Sequence, residues 1–375
     1  MVKIGVKDFG PIAEASVELK PLTVFVGANN TGKSYLALAV YSLSRTFRQE
    51  PPVRGVPRFR TSRRFSEFQP PPELVKKAAG AIKRIRLETS ALGPGSLKLR
   101  ELPDPVQELV KLALKSYAES LNIAFGGELQ RCFGTRVSGL GRLGSGVEQA
   151  GFSLTVSDAG LGLNWQMRSN QEEMVTSHWE SQVPDLDLEL GGTFPPRAFL
   201  RNEPEMHIRY LVREVAEEYY MGLADRAHYL PASRSGIMLG HKTLTSSIVE
   251  RASLAWLEPL EISTLPGVIT DLIRALLLLG REPQPSSKIQ NVVSFLEGDV
   301  MRGTVDVDRS LPYPELLYDQ SGHRFHLHQV SSMVAEIAPL VLYLKYLVRQ
   351  GDLLIIEEPE SHLDPNNQRN VARAI

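Results

Sequence analysis

The chain has 375 residues, enough for two or three lobes rather than one small domain. Its hydrophobic fraction is 42%, its charged fraction 23% and its formal net charge -1, so it is an ordinary globular balance in which any nucleic-acid surface has to be a local patch. The single cysteine, Cys132, excludes an internal disulfide and a cysteine-built zinc cluster, and the longest apolar runs, Leu276–Leu279 and Leu353–Ile356, fall far short of the roughly 20 residues that a membrane helix needs.

The N-terminus, Met-Val-Lys-Ile-Gly-Val, lacks the apolar core of a signal peptide, and with the cysteine usage this predicts a cytoplasmic protein. Val2–Val6 and Ala15–Leu19 alternate as half-buried strands do, and Leu22–Val26 is a continuous apolar run expected to be a central buried strand. A Gly-rich turn follows, then a helix pattern from Ser34 to Leu43. Residues 45–72 hold seven arginines with Pro51, Pro52, Pro57 and Pro70–Pro72, which reads as an irregular basic loop. Helices are expected over 73–90, 104–124, 204–225 and 245–281, and strands over 151–168. Glu315–Asp319 and His323–Leu327 flank Gln320-Ser-Gly322, a hairpin signal. Val334–Val348 is apolar at helical spacing, Leu353–Ile356 is a second buried strand, and Asn366 opens a last helix. The expected division is therefore 1–44 as the first half of a sheet domain, 45–300 as a mostly helical insertion, and 301–375 as the second half.

Two motifs carry chemistry. Gly27-Ala-Asn-Asn-Thr-Gly-Lys-Ser34 matches G-x-x-x-x-G-K-[ST] between a predicted strand and a predicted helix. A polyphosphate carries several negative charges within a few ångströms, and consecutive backbone amides surround it only where side chains stay out, hence Gly27 and Gly32. Asn29, Asn30 and Thr31 complete the loop, Lys33 supplies a point charge, and the Ser34 hydroxyl is a hard oxygen ligand for Mg²⁺. In the second motif, Leu353-Leu-Ile-Ile-Glu-Glu-Pro-Glu360, acids stand at the carboxyl end of an apolar strand, where open α/β sheets place their ligands. Glu357 is expected to hold Mg²⁺ and Glu358 to polarise an attacking water. A third element, Ser331-Ser332, precedes the apolar helix. By itself such a pair reads as an N-cap, with Glu336 as its capping-box partner; its place one helix upstream of the acids gives it a functional reading.

Together these residues resemble the ABC-type ATPase heads of the RecF, SMC and OLD-nuclease group. Lys7-Asp-Phe-Gly-Pro-Ile and the run from Leu19 to Ser34 are similar to that group's first hairpin and Walker A loop. Glu357-Glu-Pro-Glu-Ser-His-Leu-Asp-Pro365 looks like its Walker B strand and D-loop, Ser331–Glu336 stands where its signature motif belongs, and Tyr229-Leu-Pro-Ala-Ser-Arg-Ser-Gly236 is similar to a segment of its stand-alone, OLD-like members. The resemblance covers 1–44 and 311–367. It implies an α/β P-loop head with a mixed sheet, interrupted by the long insertion, that hydrolyses ATP with Mg²⁺. It further implies a homodimer in which ATP lies between the Walker A loop of one chain and Ser331 and Ser332 of the other. Met333 stands where the group often has glycine, and Glu357 where an aspartate is usual. The group's next strand and switch-loop histidine fall after residue 375, so the head is expected to be incomplete here.

The leading expectation is an ATP-dependent dimerising switch or clamp in DNA-related processes such as anti-phage defence or repair, with an effector protein or nuclease encoded nearby as a partner. From Arg45 to Arg86 the chain holds 12 Lys or Arg against 3 Glu. That run is read as a DNA contact, with a solvated basic loop as the alternative. The other functional reading is a nucleotide-binding regulatory or scaffold protein with poor turnover that holds a partner effector. An ABC transporter subunit fits less well, because Leu-Ser-Gly-Gly-Gln is absent.

Overall fold

The computed structural model describes residues 2–47, 69–89, 96–98, 101–142, 149–158, 161–170, 173–181, 187–189, 212, 226–238, 240, 265–277, 279, 285–308 and 315–375. These residues combine helices with both antiparallel and parallel strands, so the chain is of α/β composition. They divide into two compact units: Met1–Gln130 with Thr135–Asp225, and Arg131–Gly134 with Arg226–Ile375.

The first unit begins with β1 (Val2–Phe9) and β2 (Ile12–Leu19), an antiparallel hairpin in which Phe9 faces Ile12. Its tight connection uses positive φ at Asp8 (51°) and Gly10 (53°), and a side chain on Gly10 would collide with the Tyr35 ring. Helix α1 (Lys33–Phe47) follows and buries Ala37, Val40, Tyr41, Leu43 and Phe47. Next come α2 (Pro72–Thr89), the short β3 (Ser96–Lys98) and α3 (Asp104–Phe133). The expected end of α3 at residue 124 moves to 133. Phe125, Leu129 and Cys132 continue its buried stripe, and that packing outweighs the low helix propensity of Gly126 and Gly127. Strands β4 (Gly151–Asp158), β5 (Leu161–Ser169) and β6 (Met174–Ser181) complete a five-stranded antiparallel sheet in the order β2-β1-β4-β5-β6, and β7 (Asp187–Glu189) pairs with β3. Edge-to-face aromatic contacts tie the helices to this sheet: Phe9 with Tyr35, Phe47 with Trp165, and Phe125 with Phe152.

One expectation fails in this unit. Residues 22–26 form no strand, and Leu22, Val24 and Val26 are 60%, 68% and 89% exposed. An apolar run records that its residues suit a buried strand. A strand also needs a neighbour to take its backbone hydrogen bonds, and no described residue pairs with this segment.

In the second unit, β8 (Ala227–Leu230) leads to α4 (Gly267–Leu277) and α5 (Ser287–Phe295), which continues as a π-helical turn over Leu296–Met301. A three-stranded antiparallel sheet follows, made of β9 (Thr304–Asp308), β10 (Glu315–Gln320) and β11 (His323–His326) in the order β11-β10-β9. Its β10–β11 turn is the expected hairpin, with Ser321 and Gly322 at φ 53° and 84° as a two-residue loop demands. Helix α6 (Ser332–Tyr346) is buried from Val334 to Leu344 and forms the centre of the core, with Leu272, Leu276, Val300, Val305 and Leu316 around it. Strand β12 (Leu353–Ile356) pairs in parallel with β8, Leu353 opposite Ala227 and Ile356 opposite Leu230, and α7 (Pro365–Ala374) closes the described chain. Among the described residues no helix is long and apolar enough to cross a membrane. The basic stretch from Arg48 to Arg64 and nearly all of the helix expected over 204–225 lie outside the described residues.

Candidate functional site

The chemistry-bearing residues gather at two places, one in each unit. In the first, the chain turns through Gly27–Gly32 into the N-terminus of α1. Two positions need unusual backbone: Asn30 at φ 62°, a conformation asparagine tolerates, and Gly32 at φ 97°. At Gly32 a Cβ would lie 2.4 Å from Ile12 Cγ1, so only glycine lets the loop close onto the β1–β2 hairpin. The loop is braced internally. Thr31 Oγ1 donates to the Ala28 carbonyl at 2.9 Å, and the Leu36 amide reaches the Gly32 carbonyl at 2.9 Å to start the helix. Lys33 Nζ turns back into the bend and donates to the carbonyls of Gly27 (2.9 Å) and Ala28 (2.7 Å). Gly27, Ala28, Asn29, Asn30, Thr31 and Ser34 are all exposed. A flexible cation, a ring of small or polar residues and a helix N-terminus thus converge on one accessible bend, a donor set that fits a polyphosphate.

The second place is the turn after β12. The Glu357 amide donates to the Leu230 carbonyl (2.9 Å), extending the β8–β12 pairing by one step, and Glu357 Oε2 accepts from the Ala232 amide at 3.3 Å. Glu358 follows at φ 42°, in the left-handed region that a non-glycine residue enters at a cost. This twist points its side chain into solvent, where Oε2 accepts from Ser361 Oγ at 2.9 Å. His362 repeats the left-handed conformation (φ 60°), Leu363 drops into the core, and Asp364 caps α7 by accepting from the amides of Asn366 and Asn367. Below the turn, Asp352 Oδ2 faces His228 Nε2 at 3.1 Å and accepts from the Arg349 amide at 2.8 Å. Burial pushes the Asp352 carboxyl up, but the bonds from His228 and Arg349 and the charges of His228 and Arg226 outweigh it and hold the group below its ordinary value.

Helix α6 presents its N-terminus beside this turn. Ser331 is the N-cap, its Oγ accepting from the Val334 amide at 3.4 Å, and Ser332 is the first helical residue; both are exposed. The amides of Ser332 and Met333 are ones that a helix start leaves without intrahelical acceptors. Asn367 Nδ2 of α7 donates to the Met333 sulfur at 3.2 Å, so the methionine ties the two helices together. Glu336 is not the capping-box partner of Ser331. It lies two residues past the N3 position, Val334, is 0% exposed, and faces Arg234 Nη2 at 2.8 Å.

Arg234 stands inside the Tyr229–Gly236 stretch that carries part of the family resemblance, where no motif gives it a role. It follows β8 in Pro231-Ala-Ser-Arg234, is 1% exposed, and reaches three separate stretches of chain. Nε donates to the Glu336 carbonyl (3.1 Å), Nη1 to the carbonyls of Pro231 (3.2 Å) and Glu357 (2.6 Å), and Nη2 to that of Glu358 (3.2 Å). Burial lowers the affinity of the guanidinium for its proton, while the carboxylates of Glu336, Glu358, Glu360 and Glu357 act in the opposite sense. The available signal was an arginine in a small-residue turn straight after an apolar strand. Among the described residues no group of three or more His, Cys, Asp or Glu is placed to hold a metal ion.

A scan against models of known protein families returns no match, and a search of the curated proteins finds no similar sequence.

Proposed function

We propose that the chain is an ATP-binding and hydrolysing ATPase of the RecF/SMC/OLD-like kind, working as a nucleotide-dependent dimerising switch in DNA-related processes. The observation that carries this reading is the Gly27–Ser34 bend, with the Lys33 ammonium held inside it by two carbonyls at the N-terminus of α1. An incoming triphosphate exchanges those two carbonyl contacts for phosphate oxygens and gains the loop amides and the positive helix end. Ser34 and Glu357 are the residues that would hold Mg²⁺, which supplies charge neutralisation at the phosphates. Glu358 has the accessible carboxylate and orients water for attack on the γ-phosphorus. The bond to the bridging oxygen breaks, giving ADP and inorganic phosphate. Ser331 and Ser332 present a helix start to the γ-phosphate of a second chain, and two-fold symmetry makes two such contacts at once.

The test is steady-state ATP turnover with and without duplex DNA, alongside binding of a labelled ATP analogue and light scattering. Wild-type turnover that falls about a hundredfold in Glu358→Gln, with nucleotide binding kept, supports the reading. ATP binding without turnover in the wild type moves the reading to a regulatory nucleotide-binding protein, and no binding removes it.

A further inference from the structure

The Arg234–Glu336 pair is out of place as a stabilising device. Both side chains are withdrawn from water, and neither Glu336 oxygen meets hydrogen-bond geometry with any described residue, although Oε1 lies 2.8 Å from Arg234 Nη2. Burying two ions costs more than a matched apolar pair in the same space, so stability alone does not account for them. The destination of the donors does. A guanidinium has five N–H bonds in one plane. Here four are spent on the carbonyls of Pro231, Glu336, Glu357 and Glu358, and the fifth faces the Glu336 carboxylate. Two of those carbonyls belong to the residues proposed to hold the metal and orient the water. Two oxygens belong to the first turns of α6, whose start carries Ser331 and Ser332.

We infer that Arg234 is a positioning residue that locks the acidic turn to the N-terminal turns of α6, so that the placement of the Glu358 carboxylate and of the Ser331–Ser332 end is set together. Left to itself, Glu358 in the left-handed region drifts back to ordinary backbone, carrying its carboxylate with it. Arg234 prevents this by holding the carbonyls of the two peptide bonds that flank Glu358, one of them at 2.6 Å. Glu336 keeps the guanidinium charged and oriented at depth. A ligand that pulls on the α6 N-terminus therefore moves the acidic turn with it. The inference rests on the proposed ATPase reading for its catalytic consequence, and on geometry alone for the mechanical link.

The decisive variant is the double substitution Arg234→Met with Glu336→Leu, which removes both buried charges at similar volume and so preserves the fold. Its melting temperature is expected to fall less than that of Glu336→Leu alone, because no unpaired charge is left in the core. Amide hydrogen exchange over residues 358–363 should accelerate about tenfold or more, while β9 and β10 keep their protection. In the same protein kcat for ATP should fall at least about tenfold with nucleotide affinity unchanged, because a small misplacement of a catalytic group is costly. Arg234→Lys, which keeps the charge but offers only three donors from one point, should show the same faster exchange and the same loss of kcat. A folded double variant, or a folded lysine variant, with wild-type exchange over 358–363 overturns the link. Faster exchange with unchanged kcat overturns the positioning role. Should the wild type itself hydrolyse no ATP, the ATPase reading fails while the exchange measurement still decides whether Arg234 holds the turn.

Discussion

The bend at Gly27–Ser34 and the turn at Glu357–Glu358 are held in opposite ways. The first is built from its own neighbours: every brace in it, from Thr31 to Ala28 and from Lys33 to Gly27 and Ala28, spans six residues or fewer. The second has local bonds as well, from the Ser361 amide to the Glu358 carbonyl and from Ser361 Oγ to Glu358 Oε2, but it is also held from far away, by Arg234 at a separation of 123 and 124 residues and by the Ala232 amide at 125. One bend is exposed and rests on local hydrogen bonds alone; the other adds to its local bonds a buried ion pair. A local device fails locally when it is changed, and a buried one takes the surrounding core with it.

The sharpest way to break that contrast is Glu336→Leu alone. It strands the Arg234 charge in the core, and breaking a buried pair from one side costs about 3–5 kcal/mol. Urea denaturation should show a lower midpoint with an unchanged slope. A midpoint equal to the wild type would mean that the pair carries no weight. Lys33→Ala should do the reverse. Its ammonium is partly exposed and bonded only to the loop, so stability should move by no more than about 0.5 kcal/mol. Affinity for a labelled ATP analogue should meanwhile fall roughly 10- to 100-fold, as expected for a lost charge-assisted contact. If Lys33→Ala melts like Glu336→Leu, the two regions are not held differently.

The contrast also explains what the sequence made legible. The glycine-lysine loop, the Ser321–Gly322 hairpin and the apolar stripe of α6 are short-range patterns, and each is recovered as a local structure. What escaped depended on partners distant in sequence. Leu22–Val26 has the composition of a central strand, yet a strand exists only with a neighbour. By sequence alone Glu336 reads as a capping-box partner, while its depth in the core and its pairing with Arg234 follow from the packing of α6 against the segment after β8. Arg234 carried no periodic signal, because its partners are carbonyls, which every residue possesses. For the site itself, the residue types at Gly27–Ser34 and Glu357–Glu358 are the grounds of the proposed phosphate and metal chemistry, whereas the means of holding them does not appear in a motif.

A gentler probe is Asp364→Ala. The Asp364 side chain accepts from the amides of Asn366 and Asn367 and also receives Asn367 Nδ2 at 2.6 Å, so its loss removes an N-cap worth about 1 kcal/mol. The loss should loosen α7 and the Asn367–Met333 contact without touching the Gly27–Ser34 bend. Hydrogen exchange should rise in residues 364–374 and stay unchanged in α1. Equal loosening of both would contradict the independence of the two regions.

The smallest expected effect concerns pH. Asp352 lies at the start of the strand that carries the acidic turn, with its carboxylate against His228 of β8, and its pKa is held below the ordinary 3.8. A carboxyl whose folded value is depressed contributes stability above the unfolded value, and that contribution disappears as pH falls through the folded one. The β8–β12 pair should therefore lose support only below about pH 4, the unperturbed aspartate range. Asp352→Asn cannot ionise, so the gap in urea midpoint between wild type and variant should be full at pH 6 and narrow as pH falls below about 4, the unperturbed aspartate range. The Gly27–Ser34 bend contains no carboxylate, so exchange in its amides, corrected for intrinsic rate, should not follow that titration. A gap that stays constant from pH 6 to pH 3 would show that Asp352 acts through shape and hydrogen bonding alone, and that the charge on its carboxylate does not help to hold the strand beneath Glu357.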